Sequence, residues 1–169
     1  MKNENSGFSL VEVLIVIVIA MILVAIAVPT LLASRRAANE GSAISTMRTL
    51  NGAQSTYQAT TGAGNYAGTE SITGDTAGLT VLANLRMIDP VLAAGSKSGY
   101  HVVGAIHNFG AGDPATFFFT ANPASASGVT QSGSRRFCVT QAGYIGADSS
   151  NLAVEFDALT APLAPPLDH

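Results

Sequence analysis

Between Val13 and Ser34 the chain carries no charged side chain, and Val13 to Val28 is built only of Val, Ile, Leu, Ala and Met. With Phe8 to Val11 ahead of it, this run matches the ~20 apolar residues that cross a bilayer. A helix packed on a globular core keeps a polar face, and this run has none. Charged residues make up only 11% of the chain, against about 25% in an ordinary soluble domain. Glu12 lies inside the apolar run, where an ionised carboxylate costs ~2.5 kcal/mol or more. A secretory signal peptide, with Lys2 as its basic end and Ala25-Ile26-Ala27 as its cleavage site, accounts for the apolarity. So does a plain membrane anchor. Neither gives Glu12 a reason to be there. Lys2 on one side and Arg35-Arg36 on the other leave orientation open.

The helical pattern continues past the apolar run. Ile44, Met47, Leu50, Gln54 and Tyr57 recur every three or four residues, which predicts an amphipathic helix with Arg48 on its far side. Thr60-Thr61-Gly62-Ala63-Gly64 ends it. One helix from Phe8 to Thr61, about 54 residues, would rise ~80 Å. Pro29 removes an N–H and crowds the preceding turn, so a kink is expected there.

These residues carry a resemblance. Gly7-Phe8-Ser9-Leu10-Val11-Glu12-Val13-Leu14-Ile15-Val16 resembles the processing and assembly motif of type IV pilins and the related pseudopilins. Ile26-Ala27-Val28-Pro29-Thr30-Leu31-Leu32-Ala33-Ser34-Arg35 resembles the second part of that signature. The close match covers about the first 60 residues, with Ser9 where the family commonly has Thr. The resemblance implies cleavage by a prepilin peptidase between Gly7 and Phe8, N-methylation of Phe8, and an assembly role for Glu12 opposite the Phe8 amine of a neighbouring subunit. It implies a homopolymer as product and the pilus assembly machinery as partner. The precursor would cross the cytoplasmic membrane once, leader inside and head outside, and become extracellular in the pilus. The physics agrees on Glu12, because a carboxylate in an apolar medium is destabilised unless paired. The subunit's own amine, one helical turn away, is the competing partner.

Residues 62–99 read as a Gly/Thr/Ala-rich connector with one short helix, carried by Leu79, Leu82 and Leu85-Arg86-Met87 and ended by Asp89-Pro90. From Tyr100 the pattern turns to strands: His101–Ile106, Ala115–Thr120 and Arg136–Thr140, then a turn at Gln141-Ala142-Gly143 into Tyr144-Ile145-Gly146. Asn108–Pro114 reads as a hairpin loop. The expected fold is α+β: a long helix, kinked at Pro29, packed on a three- or four-stranded antiparallel sheet. The divisions are a leader at 1–7, a transmembrane and filament-core helix at 8–34, its amphipathic continuation at 35–61, the connector at 62–99, a β head at 100–159 and a flexible tail at 160–169. The pieces 95–100 and 133–145 resemble the sheet of a pilin subgroup without cysteines. Cys138, the single cysteine, cannot staple the C-terminal loop that two cysteines close in better-known pilins, and reads as a small core residue.

Other chemistry has little support. His101, His107 and Asp113 lack the spacing of a metal set. Asp148, Glu155 and Asp157 could imitate the calcium site of type II secretion pseudopilins, but they lack an EF-hand-like spacing and solvated acids explain them better. No nucleophile elbow, phosphate loop or dinucleotide fingerprint occurs. A net charge of −3 with eight Lys+Arg gives no basic face for nucleic acid. A structural filament subunit, not an enzyme, with no cofactor or metal, is the expectation. Its rivals are a type II secretion pseudopilin and a membrane-tethered binding protein that never polymerises.

Overall fold

The computed structural model describes residues 9–110, 113–150 and 165–167. The chain falls into two units, Met1–Arg35 and Arg36–His169. Helix α1, Leu10–Thr60, contributes to both.

In the first unit every side chain from Leu10 to Leu31 is exposed, including Ile15 (52%) and Leu23 (63%). α1 is long and apolar enough to cross a membrane. Among the described residues it is the single helix that is. The helix runs through Pro29 without a break. Pro29 cannot donate to the carbonyl four residues back. Next to it, the Thr30 hydroxyl donates to Ala27 O at 2.8 Å and lies 3.3 Å from Ile26 O. A Thr hydroxyl turned back onto its own helix in this way tends to bend the axis.

In the second unit the helical stripe becomes a core face. Ala43, Met47, Leu50 and Ala53 are buried, with Ile44 and Tyr57 packed at its margin. Arg48 is exposed on the far side. The helix stops where a side chain would not fit. The amides of Thr61 and Gly62 both donate to Tyr57 O, and a Cβ on Gly62 would stand 2.1 Å from Asn65 O.

The connector holds more structure than its composition suggested. Helix α2, Ala77–Asn84, buries Leu79 and Leu82 completely. It ends before Leu85-Arg86-Met87, because Arg86 takes φ 56° and the amide of Met87 turns back to Leu82 O. Asp89-Pro90 does not act as a terminator. Asp89 accepts the Val91 amide at 3.0 Å and Pro90 starts a short 3-10 helix, Pro90–Ala94. Proline suits a first helical position because its missing N–H is not needed there.

The sheet has five antiparallel strands in the order β1-β2-β3-β4-β5: Ser96–Lys97, Tyr100–His107, Thr116–Pro123, Arg136–Thr140 and Ile145–Asp148. The strand beyond the expected three or four is β1. Its two residues are too few to show alternation. Ser98 and Gly99, both at positive φ, form the tight turn into β2. Past β1, the edge of β2 is covered by the connector. Asp75 exchanges two backbone hydrogen bonds with Gly104, and the Ile106 amide reaches Thr69 O. No long open edge is left there for a foreign strand. At the other side, Pro165 O accepts the Ala147 amide and the Leu167 amide donates to Ile145 O. The C-terminal Pro-rich segment is therefore bonded to β5 at 165–167.

The two faces of the sheet differ. Tyr100, Val102, Ile106, Phe117, Phe119, Ala121, Phe137 and Val139 join the core with α1 and α2. Each fully buried large side chain there is worth about 1.5–3 kcal/mol relative to exposure. Ala105, Phe118 and Cys138 form a smaller cluster on the opposite face. The run Phe117-Phe118-Phe119 is thus split between the faces, as a period of two requires.

Candidate functional site

Glu12 sits in the first turn of α1, its amide bonded to Ser9 O at 3.0 Å. An acid at a helix start meets the positive end of the helix dipole. Its side chain is exposed amid apolar neighbours. Gly7 and Phe8, the expected cleavage and methylation residues, lie outside the described residues. Pro29 stands 17 positions beyond Glu12, roughly 25 Å along a helix. The structure does not bring these two together: one is an end feature, the other a mid-helix feature.

Sequence reading missed Glu40, the one buried carboxylate among the described residues. It lies four residues before Ile44, on the same stripe, and its charge disguised it as a surface residue. Its side chain is 8% exposed and meets the Arg135 guanidinium at 3.0 Å. It accepts the Ser134 amide at 2.7 Å, the Ser134 hydroxyl at 2.5 Å and Arg135 Nε at 3.0 Å. Burial pulls its carboxyl upward, but the bonds from Ser134 and Arg135 outweigh that and hold it below its ordinary value of 4.5. Tyr100 completes the group, its hydroxyl donating to Arg135 O at 2.8 Å. Burial pushes that phenol well above its usual range. Asn39 donates to Ser132 O at 2.9 Å and Arg36 to Gly128 O at 3.3 Å. The β3–β4 loop is thereby fastened to α1 over one helical turn.

Asp148 is engaged in a different way. It accepts Arg136 Nη2 at 2.6 Å and Nε at 3.1 Å, and also the Ser150 amide and hydroxyl, both at 2.8 Å. The Ser150 amide, then Arg136, lowers its carboxyl to about 2. Its oxygens are spent on cation and turn, so as it stands it offers little to a calcium ion. Glu155 and Asp157 lie outside the described residues. His101 and His107 share a face of β2 and are exposed. Six strand residues separate them, about 20 Å, too far for one ion. No cluster of three or more His, Cys, Asp or Glu capable of holding a metal occurs among the described residues. Cys138 is buried, and that burial pushes its thiol up to about 11. It is therefore a poor nucleophile at neutral pH.

Both lowered carboxyls favour the folded state when ionised. Their contribution is present above the unfolded pKa and is lost as pH falls through the folded one. Stability of the full chain in detergent should fall from about pH 4.5 for Glu40, and between 3.8 and about 2 for Asp148. Thermal melts from about pH 2 to about pH 6 check this. In an Asp148→Asn chain the lowest part of the decline should flatten, and an unchanged profile would remove Asp148 from the account.

A groove of about 600 Å³ opens beside β2 and β3 in the second unit. Ala105 and Phe118 line it with Glu70, Ile72, His107 and Thr116. Among the described residues of its lining, none forms a nucleophile–base pair. The fold is thus that of an α+β protein whose long N-terminal helix packs on an antiparallel sheet. Residues 2–28 match the prokaryotic N-terminal methylation motif. That motif is the hallmark of the prepilins of type IV pilins and pseudopilins. No curated protein and no solved structure matches the chain.

Proposed function

We propose that the chain is the structural subunit of a type IV pilus-like filament, not an enzyme. The observation that carries this reading is the methylation motif at 2–28, on a helix apolar on all sides from Leu10 to Leu31 with one acid near its start. In this reading a prepilin peptidase cuts between Gly7 and Phe8 and the new Phe8 amine is methylated. The precursor stands in the cytoplasmic membrane, leader inside and head outside. The assembly machinery then moves it into a homopolymer at the cell surface.

Lipid and a core of bundled apolar helices are equally greasy, so the transfer gains little from desolvation. Packing and the Glu12 contact must direct it. Glu12 pairs with the amine of the neighbouring subunit, because a carboxylate left single in that core is heavily penalised. Pro29 supplies the bend that lets neighbouring helices pack. A type II secretion pseudopilin shares the same motif, and no feature here favours it over a pilus.

The test is mass spectrometry of filaments sheared from cells making this chain. A protein beginning at methylated Phe8 is expected. A chain retaining residues 1–7, with no filaments, would replace the reading by a tethered, non-polymerising protein. Imaging of the same filaments should show the helix axis turning at Pro29, and a straight axis there would discard the bend.

A further inference from the structure

The second unit carries an apolar knob and, at the opposite end of its sheet, a groove lined by both apolar and polar side chains. The knob is Val129, 77% exposed, in the β3–β4 loop. That loop is held in shape before any partner arrives. The Ser132 amide donates to Ser125 O at 3.0 Å and the Gln131 amide to Gly128 O at 3.2 Å. Arg36 and Asn39 fasten it to the start of this unit's part of α1.

The groove lies at the other end of β3. Its wall at Glu70 and Ile72 is tied to the far end of α1 by a chain of bonds. Gln58 donates to Gly64 O, the Phe109 amide to Asn65 Oδ1 and the Asn108 amide to Glu70 Oε1. Ile72 (67%) is exposed in its lining. From Arg36 to Thr60 the helix rises roughly 36 Å, so knob and groove are separated by about the length of the head along one axis.

Charge follows the same polarity. Glu70 and Asp113 at the groove end have no cationic partner among the described residues, and Arg36 at the knob end has no anionic one. A groove of about 600 Å³ is large enough to take side chains of a partner.

We propose that the occupant of this groove is the Val129 loop of a second copy of this chain, with Arg36 of that copy facing Glu70. Such a contact joins two different surfaces, and repeated along the axis, with a rotation that does not close a ring, it propagates as an open filament. It rests on the filament reading above and adds the head surfaces through which copies meet. Exposed apolar side chains at both ends give the contact its area, while the opposite charges fix which end meets which.

The test uses the full chain on cells with the assembly machinery. An Ile72→Cys, Val129→Cys double variant is treated with a short bifunctional maleimide. Cys138, 1% exposed, is out of reach of the reagent. The expected result is a ladder of cross-linked oligomers from the double variant, monomers from either single variant, and dimers when the two single variants are co-expressed. Filaments in normal amount without a ladder would overturn the docking while leaving the filament reading intact. Dimers from a single variant would show a symmetric contact and overturn it too. No filaments from the unaltered chain would overturn the filament reading and this proposal together.

If the double variant does not assemble, charge reversal decides. Arg36→Glu and Glu70→Arg should each lower filament yield about tenfold, and the combination should recover part of it, because each side chain also holds a bond within its own chain that the reversal does not rebuild. Losses that merely add would overturn the proposal.

Discussion

A Glu12→Val chain is expected to enter the membrane and be processed normally, yet to yield at least about a hundredfold fewer filaments. Insertion becomes easier, because valine removes a carboxylate that costs ~2.5 kcal/mol or more in lipid. Under the proposed filament function assembly becomes harder, because the amine of the neighbouring Phe8 would then stand in an apolar core without its counter-charge. Removing one member of a buried pair costs about 3–5 kcal/mol, mostly through the charge left behind. Glu12→Asp, which keeps the charge on a shorter stem, should recover part of the yield. The measurement is sheared-filament protein against membrane-fraction precursor. Unchanged yield from Glu12→Val would end the assembly role of this residue. Loss of membrane insertion itself would show that the acid serves orientation and not assembly.

The second large effect belongs to the head. Gln54 occupies the apolar stripe of α1 and is wholly buried. Its side chain has one task there. Nε2 donates to Ala67 O at 2.7 Å and Oε1 accepts the Ala67 amide at 2.8 Å. Ala67 is itself 1% exposed and outside any strand, so Gln54 takes the place a neighbouring strand would have. Gln54→Leu keeps the volume and leaves both backbone groups of Ala67 buried and unbonded. At about 1–3 kcal/mol for each of the two orphaned groups, a loss of about 2–6 kcal/mol is expected. For a domain of this size that lowers the thermal midpoint by on the order of 10 °C. Melting of the full chain in detergent reads it directly. An unchanged midpoint would mean that water reaches Ala67 and that the stripe is less tightly closed than its burial indicates.

The two variants separate the units of the protein. The first should abolish filaments and leave the head's melting point where it was. The second should unfold the head early while leaving membrane insertion unaffected. Coincident effects would contradict the division at Arg35–Arg36.

Much of this architecture could be read from residue order. An apolar run without a polar face leaves a helix few environments other than lipid or other apolar helices, whatever follows it. The spacing of Ile44, Met47, Leu50, Gln54 and Tyr57 fixed the buried face of the second half. Arg136–Thr140 alone gave a strand with its observed bounds, because a short β-branched and aromatic run between turn residues has few other uses.

What residue order could not supply came from contacts between distant segments. β1 is two residues long and exists because β2 lies beside it. Asp89-Pro90 reads as an ending in isolation and becomes a beginning when Asp89 finds the Val91 amide. Glu40 looks like surface until Ser134 and Arg135, more than ninety residues on, close over it. The reason is physical. Periodicity reports which face avoids water, a property of neighbours along the chain. A buried charge or a stranded backbone group is tolerable only if a particular partner arrives from elsewhere, and that arrival is decided by the fold.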